Sequence, residues 1–148
     1  MTVLDVNVLL YAYNADAPQQ AAAARWLGEL LDSNETIALP WITIWGFVRI
    51  STSSRIWDRP KSTDQAFSII REWVAQPNVI VLNPGARHCD ILATLVENHQ
   101  ALGPMVTDAV LAALALENGA ALASTDHDFR RFPGLRWVDP MDSQKLRH

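Results

Sequence analysis

Four aspartates stand where an apolar segment ends or a helix begins, and they are the residues with the clearest chemical potential. Asp5 closes the apolar run at the start of the chain, while Asp126 and Asp128 follow a second apolar run at 120–124. Asp108 opens a predicted helix, where the helix dipole favours a negative charge. Carboxylates gathered in one place repel one another unless a cation neutralises them, and oxygen ligands select Mg²⁺ or Mn²⁺. These types and positions predict a metal site that activates water against a phosphodiester.

Each aspartate also has an ordinary structural interpretation. A single Asp beside a strand or at a helix start usually forms a cap or a turn, and for Asp108 or Asp128 alone that interpretation is favoured. Asp5 differs because it lies inside an apolar run, where an unpaired charge is costly. For Asp5, the structural and functional interpretations weigh about equally.

Two neutral polar residues stand beside these acids. Asn7 either holds Asp5 through a hydrogen bond or caps the following helix, and the sequence leaves both options open. Thr125 either orients Asp126 or forms a turn. His127 would point away from its neighbouring aspartates in an extended segment, so we expect a solvated surface residue.

Arginine carries nearly all of the positive charge, since the only lysines are Lys61 and Lys145. Arginine suits bidentate contacts with phosphate and stacking on bases, and a tryptophan in a basic loop suits base stacking as well. A solvated surface with salt bridges explains the same residues about equally well. The candidate RNA-binding residues are Arg49, Arg55, Trp57, Arg130 and Arg131.

The order of the predicted elements decides whether the acids can meet. Short apolar runs alternate with helical segments, which predicts an α/β fold with a parallel sheet covered by helices on both faces. Ligands of such sheets bind beyond the carboxyl ends of the strands, so the aspartates are expected to converge there. The predicted strands are 2–5, 36–39, 79–82, 120–124 and 135–138.

One helix is marked with particular clarity. Ser62 and Gln65 have the spacing of a capping box at its start. We expect this helix to turn Phe67, Ile70 and Val74 toward the core.

Composition limits the class of protein. The chain has 148 residues, 49% of them hydrophobic, and a net charge of -4, which predicts one domain over residues 1–148 with a single core. A protein that grips nucleic acid by bulk positive charge is excluded. The single cysteine, Cys89, and the absence of a signal peptide or an apolar span predict a cytoplasmic protein without a membrane segment.

Four segments spread over the chain carry a family resemblance: LDVNVLLYAYN, LPWITIWGFVRISTSSRIW, MVTDAVLAALALENGA and ASTDHDFRRFPGLRWVDP. The sequence resembles the PIN-domain ribonucleases, in particular the VapC-type toxins of bacterial toxin-antitoxin modules. The resemblance implies a three-layer α/β/α sandwich and an Mg²⁺-dependent or Mn²⁺-dependent endoribonuclease that hydrolyses RNA phosphodiester bonds. It also implies a VapB-type antitoxin as partner and a homodimer. The stripe of Trp41, Trp45 and Phe47 is a candidate docking surface.

Carried over by position, the family's acids fall on Asp5, Asp108, Asp126 and Asp128, with the first three as metal ligands. A further family acid falls on Gly46, so this chain departs from the pattern there. We expect one firmly held metal between Asp5 and Asp108, with weak affinity elsewhere. The departure keeps an alternative open, a catalytically impaired PIN-like module that only binds a protein partner.

Two other classes of enzyme also place an Asp after the first strand. A haloacid-dehalogenase-type phosphatase needs a second Asp where Asn7 stands, and it needs a later lysine. A response-regulator receiver needs a lysine too, but none lies between Lys61 and Lys145. Both interpretations are disfavoured.

Overall fold

The computed structural model describes residues 1–142. Apolar strands and amphipathic helices alternate along the chain, as the hydrophobic pattern predicts. The elements in chain order are β1 (Thr2–Leu4), α1 (Val6–Tyr13), α2 (Gln20–Leu31), β2 (Ile37–Pro40), α3 (Trp41–Ser51), α4 (Thr63–Val74), β3 (Val79–Leu82), α5 (His88–His99), α6 (Met105–Glu117), β4 (Ala121–Ala123), a 3₁₀ helix (His127–Arg131) and β5 (Arg136–Val138).

The strands form one sheet in the order β3-β2-β1-β4-β5, and every neighbouring pair is parallel. The connection from β1 leads to β2 on one side, whereas β4 pairs with β1 on the other side. The strand order therefore reverses at β1, and a crevice forms beyond the carboxyl ends of β1 and β4. Asp5 follows the first of these strands, and Asp126 follows the second.

Alternate side chains of the strands serve two separate cores. Val3 and Leu122 belong to the core beneath α5 and α6, while Leu4 and Ala123 belong to the core beneath α1, α2, α3 and α4. Consecutive strand residues point to opposite faces, so both faces of this sheet are covered. The predicted three-layer α/β/α arrangement is confirmed.

The inward face of α4 differs from the sequence-based prediction. Ser62 and Gln65 form the expected capping box. However, Phe67 and Val74 are each 42% exposed, and the buried stripe consists of Ala66, Ile70 and Trp73. The indole N–H of Trp73 donates to the hydroxyl of Tyr13 over 2.8 Å, which fixes this rotation of the helix.

The aromatic residues of α3 also differ from the sequence-based prediction, because they do not share one surface. Phe47 is fully buried and packs edge-on against Tyr13, so its assignment to a docking surface is wrong. Trp41 and Trp45 are exposed and lie with their rings 6.2 Å apart.

Within residues 1–142, no helix has the length and apolarity needed to cross a membrane.

Candidate active site

Asp5 occupies the junction between β1 and α1, where the strand direction carries it into the crevice. Its Oδ1 accepts from the backbone N–H of Val6 over 2.7 Å, and its own backbone N–H donates to the carbonyl of Ala123 over 3.0 Å. Only 7% of the residue is exposed. Asp5 therefore caps α1, ties β1 to β4 and presents a carboxylate in one fixed orientation.

Ser124, directly after β4, connects the two strand ends through its hydroxyl group. Its Oγ donates to Asp5 Oδ2 over 2.7 Å and accepts from the backbone N–H of Asp126 over 3.0 Å. It accepts a third hydrogen bond, of 3.2 Å, from the side-chain amide of Asn7. The residue is fully buried. One donor and two acceptor positions are all that a hydroxyl offers, so this group is saturated.

Asn7 completes the frame around Asp5. Its Nδ2 donates to Asp5 Oδ2 over 3.2 Å, and its Oδ1 accepts from the backbone N–H of Thr125 over 3.2 Å. Of the two options left open for Asn7, the hydrogen bond to Asp5 is the one observed, because Asp5 itself caps α1. Thr125 contributes its backbone N–H, and the orienting hydroxyl belongs to Ser124.

Asp126 and Asp128 stand at the start of the 3₁₀ helix. Asp126 caps this helix, since its Oδ1 accepts from the backbone N–H of Asp128 over 2.9 Å. Asp128 is exposed and faces Arg131, whose guanidinium lies 3.7 Å from its carboxylate. Arg131 also donates to the carbonyl of Asp128 over 3.1 Å and contacts the sulfur of Met105 in α6. Arg131 therefore bridges the 3₁₀ helix and α6 beside the acids.

Asp108 lies in the first turn of α6 and is partly buried. Burial raises the pKa of its carboxyl group to about 6, chiefly by removing water from the charged form. Neighbouring charges act on the same pKa in both directions: Asp126, Asp5 and Asp128 raise it, and Arg131 lowers it. The other three predicted acids thus lie close enough to act electrostatically on Asp108.

The pKa of Asp5 is raised too. Burial is the largest cause, the hydrogen bonds from Ser124 and Val6 lower the pKa, and the charge of Asp126 raises it. Without a bound cation, ionising the carboxyl group of Asp5 or of Asp108 therefore costs free energy. An oxygen-only set of this kind fits Mg²⁺ or Mn²⁺.

The aspartates are spread more widely than the ligands of a closed metal site. Within the described part of the chain, the group whose ligand atoms all lie within 4.8 Å of one another is His127, Asp139 and Asp142. A cation held by Asp5, Asp108 and Asp126 would thus require inward rotation of side chains. The side chain of Asp5 has the least freedom because three residues hold it.

Gly46 lies on the buried side of α3 against α1. A Cβ atom built there would lie 3.3 Å from Cγ2 of Val6, the residue after Asp5. A side chain at this position would therefore point toward the start of α1, close to the acids. Glycine leaves that side of the crevice without a carboxylate from α3.

The candidate RNA-binding residues separate into distinct environments. Trp57 is only 7% exposed and lies beneath the ammonium group of Lys61, so the prediction that it stacks on a base is wrong. Burying this large apolar ring is favourable enough to place Trp57 inside the protein, although the residues around it in the loop are polar. Arg49, Arg55 and Arg130 are exposed, whereas Arg131 is engaged with Asp128.

Ser124 is the site residue that the sequence interpretation missed. Two hydroxyl residues, Ser124 and Thr125, precede Asp126, and only one of them can face the crevice. His127 lies on the surface, as expected, with its side chain 54% exposed, and its Nε2 also lies 2.9 Å from the buried carboxylate of Asp139.

The chain is similar to known proteins over nearly its whole length. The sequence model of the PIN domain matches residues 2–135. Ribonuclease VapC37 of Mycobacterium tuberculosis (strain ATCC 25618 / H37Rv) is 37% identical over 140 residues, covering 95% of this chain and 97% of that protein. Ribonuclease VapC33 of the same strain is 38% identical over 141 residues, covering 95% and 99%.

Solved structures show the same fold at lower identity. VapBC2 from Rickettsia felis, bound to a DNA fragment from its promoter, matches with a TM-score of 0.70 at 20% identity, covering 93% of this chain and 96% of that one. VapBC-1 from nontypeable Haemophilus influenzae matches with a TM-score of 0.69 at 18% identity, covering 95% and 98%. By the match of sequence and the coverage, the chain belongs to the PIN-domain family and is a homologue of the VapC ribonucleases.

Proposed function

We propose that the protein is a divalent-metal-dependent endoribonuclease and the toxin of a toxin-antitoxin pair. The observation that carries the proposal is the set of carboxylates at the crevice, in which the pKa values of Asp5 and Asp108 are both raised. A bound cation stabilises the charged form of carboxyl groups whose pKa values are raised in this way. The homologues named ribonucleases supply the substrate class.

Asp5, Asp108 and Asp126 would hold the ion, with Asp128 at the open side of the crevice. When bound, Mg²⁺ or Mn²⁺ supplies a coordinated water of lowered pKa and positive charge for the leaving oxygen. Ser124 and Asn7 keep the carboxylate of Asp5 in one orientation. Arg131 holds the 3₁₀ helix against α6, and thereby keeps Asp126 and Asp128 near Asp108.

Cleavage assays on purified protein, free of antitoxin, test this function. Structured and unstructured RNA are incubated in Mg²⁺, in Mn²⁺ and in EDTA with the wild type and with Asp5→Asn. We expect cleavage by the wild type in either metal, no cleavage in EDTA, and a loss of at least about a hundredfold in the variant. Asp90→Asn, an exposed acid in the first turn of α5, is the matched control and should remain active.

Cleavage that persists in EDTA or in the Asp5→Asn variant would contradict the proposed metal mechanism. Absence of cleavage with every RNA would favour the second candidate function, a PIN-like module that only binds a partner. The glycine at position 46 is the observation that favours this candidate, because α3 then contributes no carboxylate.

The partner proposed is a VapB-type antitoxin, because the solved structures with this fold are VapBC complexes. A homodimer of the toxin and a cytoplasmic site of action complete the proposal, the latter because RNA is the substrate. Co-expression with a VapB-type antitoxin, followed by size-exclusion chromatography with light scattering, tests both assemblies. A toxin that stays monomeric and unbound contradicts this part alone.

A further inference from the structure

The 3₁₀ helix after Asp126 presents three separate faces. Residues three apart are eclipsed in a 3₁₀ helix, so the segment 127–132 forms three pairs. Each pair is in contact: His127 with Arg130, Asp128 with Arg131, and Phe129 with Phe132. The two phenylalanines are buried in the core and anchor the segment. The other two faces are polar and point in different directions.

The Asp128–Arg131 face belongs to the acid crevice. Arg131 reaches Met105 at the start of α6, and its charge lowers the pKa of Asp108. Its guanidinium is thus committed to protein groups beside the acids. This arginine has a structural task and offers little to a ligand.

The His127–Arg130 face lies instead over the end of β5, the edge strand beside β4. The Nε2 of His127 lies 2.9 Å from Oδ2 of Asp139, the residue directly after β5. Asp139 is buried, and its Oδ1 accepts from the backbone N–H of Met141 over 2.9 Å. Strands in a sheet are about 4.8 Å apart, so this face is displaced by roughly one strand from the crevice.

Contacts within the protein orient the guanidinium of Arg130 but do not occupy all of its N–H groups. Its guanidinium lies 5.3 Å from the ring of Trp137, and one Nη lies 3.4 Å from Nδ1 of His127. The indole N–H of Trp137 in turn donates to the carbonyl of Ser124 over 3.0 Å. The ring makes a cation–π contact with the guanidinium, and the remaining N–H groups of the exposed Arg130 stay open to solvent. An exposed, pre-oriented guanidinium is suited to a phosphate group.

We infer that Arg130, supported by His127 and Trp137, binds an RNA phosphate that flanks the one cleaved at the aspartates. The inference rests on the proposed ribonuclease function and extends it, because it assigns the direction in which the substrate leaves the crevice, past β4 toward β5. A chain with net charge -4 needs such local cations to hold an anionic polymer.

Binding of single-stranded RNA to the Asp5→Asn protein tests the inference without cleavage. Fluorescence anisotropy gives the dissociation constant over a series of KCl concentrations. Adding Arg130→Ala should weaken binding about tenfold and reduce the slope of log K against log salt by about 0.7, the value of one phosphate contact. Arg130→Lys should restore the slope, since it keeps the charge.

Arg136→Ala is the matched control, because it removes the same charge at the opposite end of β5, where its guanidinium meets the carbonyl of Gly119. Its salt slope should equal that of Asp5→Asn. An unchanged slope in Arg130→Ala overturns the inference, as does salt-independent RNA binding by Asp5→Asn. Weaker binding of the antitoxin with RNA binding intact would assign Arg130 to the protein partner instead. Failure of the ribonuclease proposal shows separately, in the cleavage assay of the wild type.

Discussion

The hydroxyl proton of Ser124 has only one destination. The two groups that approach its oxygen from Asn7 and Asp126 are N–H donors, so the proton must go to the carboxylate of Asp5. This bond favours the charged form of Asp5 and opposes the effect of burial on its pKa. The charge state and orientation of Asp5 therefore depend on a residue that is 119 positions away in the sequence.

Replacing Ser124 with Ala should weaken Mn²⁺ binding about tenfold at pH 7, because the pKa of Asp5 rises and its carboxylate loses one of the hydrogen bonds that orient it. Isothermal titration calorimetry measures the affinity. Ser124→Thr keeps the hydroxyl group and should restore most of it. A variant that loses stability but binds Mn²⁺ like the wild type would show that the serine supports only the fold.

Residue positions explain why some of the site could be predicted and some could not. Asp5 and Asp126 are visible because each follows an apolar run, and strand ends in a parallel sheet meet at one edge. Ser124 was hidden because Thr125 beside it has the same hydrogen-bonding chemistry. Only the register of β4, which a one-residue shift would invert, decides which hydroxyl faces Asp5.

At the scale of elements, α3 is the helix that approaches the crevice without bringing an acid. Gly46 lies in its interior, where glycine is less favourable than alanine by about 1 kcal/mol. The close approach of α3 to Val6 fits such a small residue, since even a Cβ atom requires Val6 to shift slightly. The missing carboxylate and the tight packing of α3 on α1 thus have one cause.

Gly46→Glu should bind Mn²⁺ more tightly than the wild type by about tenfold, because it adds a carboxylate to the crevice. Gly46→Gln is the matched control, with the same contacts against Val6 but no charge. Calorimetry on the three proteins separates the charge from the packing. Equal affinities for the Glu and Gln variants would show that position 46 does not face the ion.

The helix α4 shows a limit of periodicity. Phe67, Ile70 and Val74 have helical spacing, but so do Ala66, Ile70 and Trp73, and the second stripe is the buried one. Both stripes share Ile70, so the pattern fixes the helix and leaves its rotation open by about one residue. The hydrogen bond between Trp73 and Tyr13 joins two elements, and a local pattern cannot predict it.

At the scale of the whole molecule, the strand order sets the site. Alternating strands and helices predict a parallel sheet, but they do not predict that β1 lies between β2 and β4. That order places the ends of the first and fourth strands side by side and brings Asp5 to Ser124. The acids gathered there account for part of the negative net charge, which a bound cation would reduce near the crevice.

Stability should depend on pH through Asp108. Its pKa is about 6 in the folded protein and 3.8 ordinarily, so the folded state favours the protonated form. The associated stability is present below about pH 4 and is lost as the pH rises through about 6. Because Asp108 is only partly buried, we discount the effect for solvent screening to an order of 1 kcal/mol.

Urea denaturation in EDTA at pH 5 and pH 7.5 measures this loss. Asp108→Asn should show a smaller decrease than the wild type between the two values, whereas Asp90→Asn should match the wild type. Excess Mn²⁺ should raise the stability at pH 7.5 by binding the folded state.

The same denaturation curves test the prediction from chain length that residues 1–148 form one domain. One domain should give a single unfolding transition at every pH, and two separate transitions would contradict the prediction.

The three-residue repeat of the 3₁₀ helix makes this segment sensitive to insertion and deletion, even where its exposed side chains can be exchanged. Each residue added after Asp126 would turn the following side chains by about a third of a turn. Phe129 and Phe132 would then leave the core, and charged side chains would take their place. Surface connections usually accept extra residues at little cost. Here, we expect the packing of the segment to survive only when the number of residues from Asp126 to Phe132 is preserved.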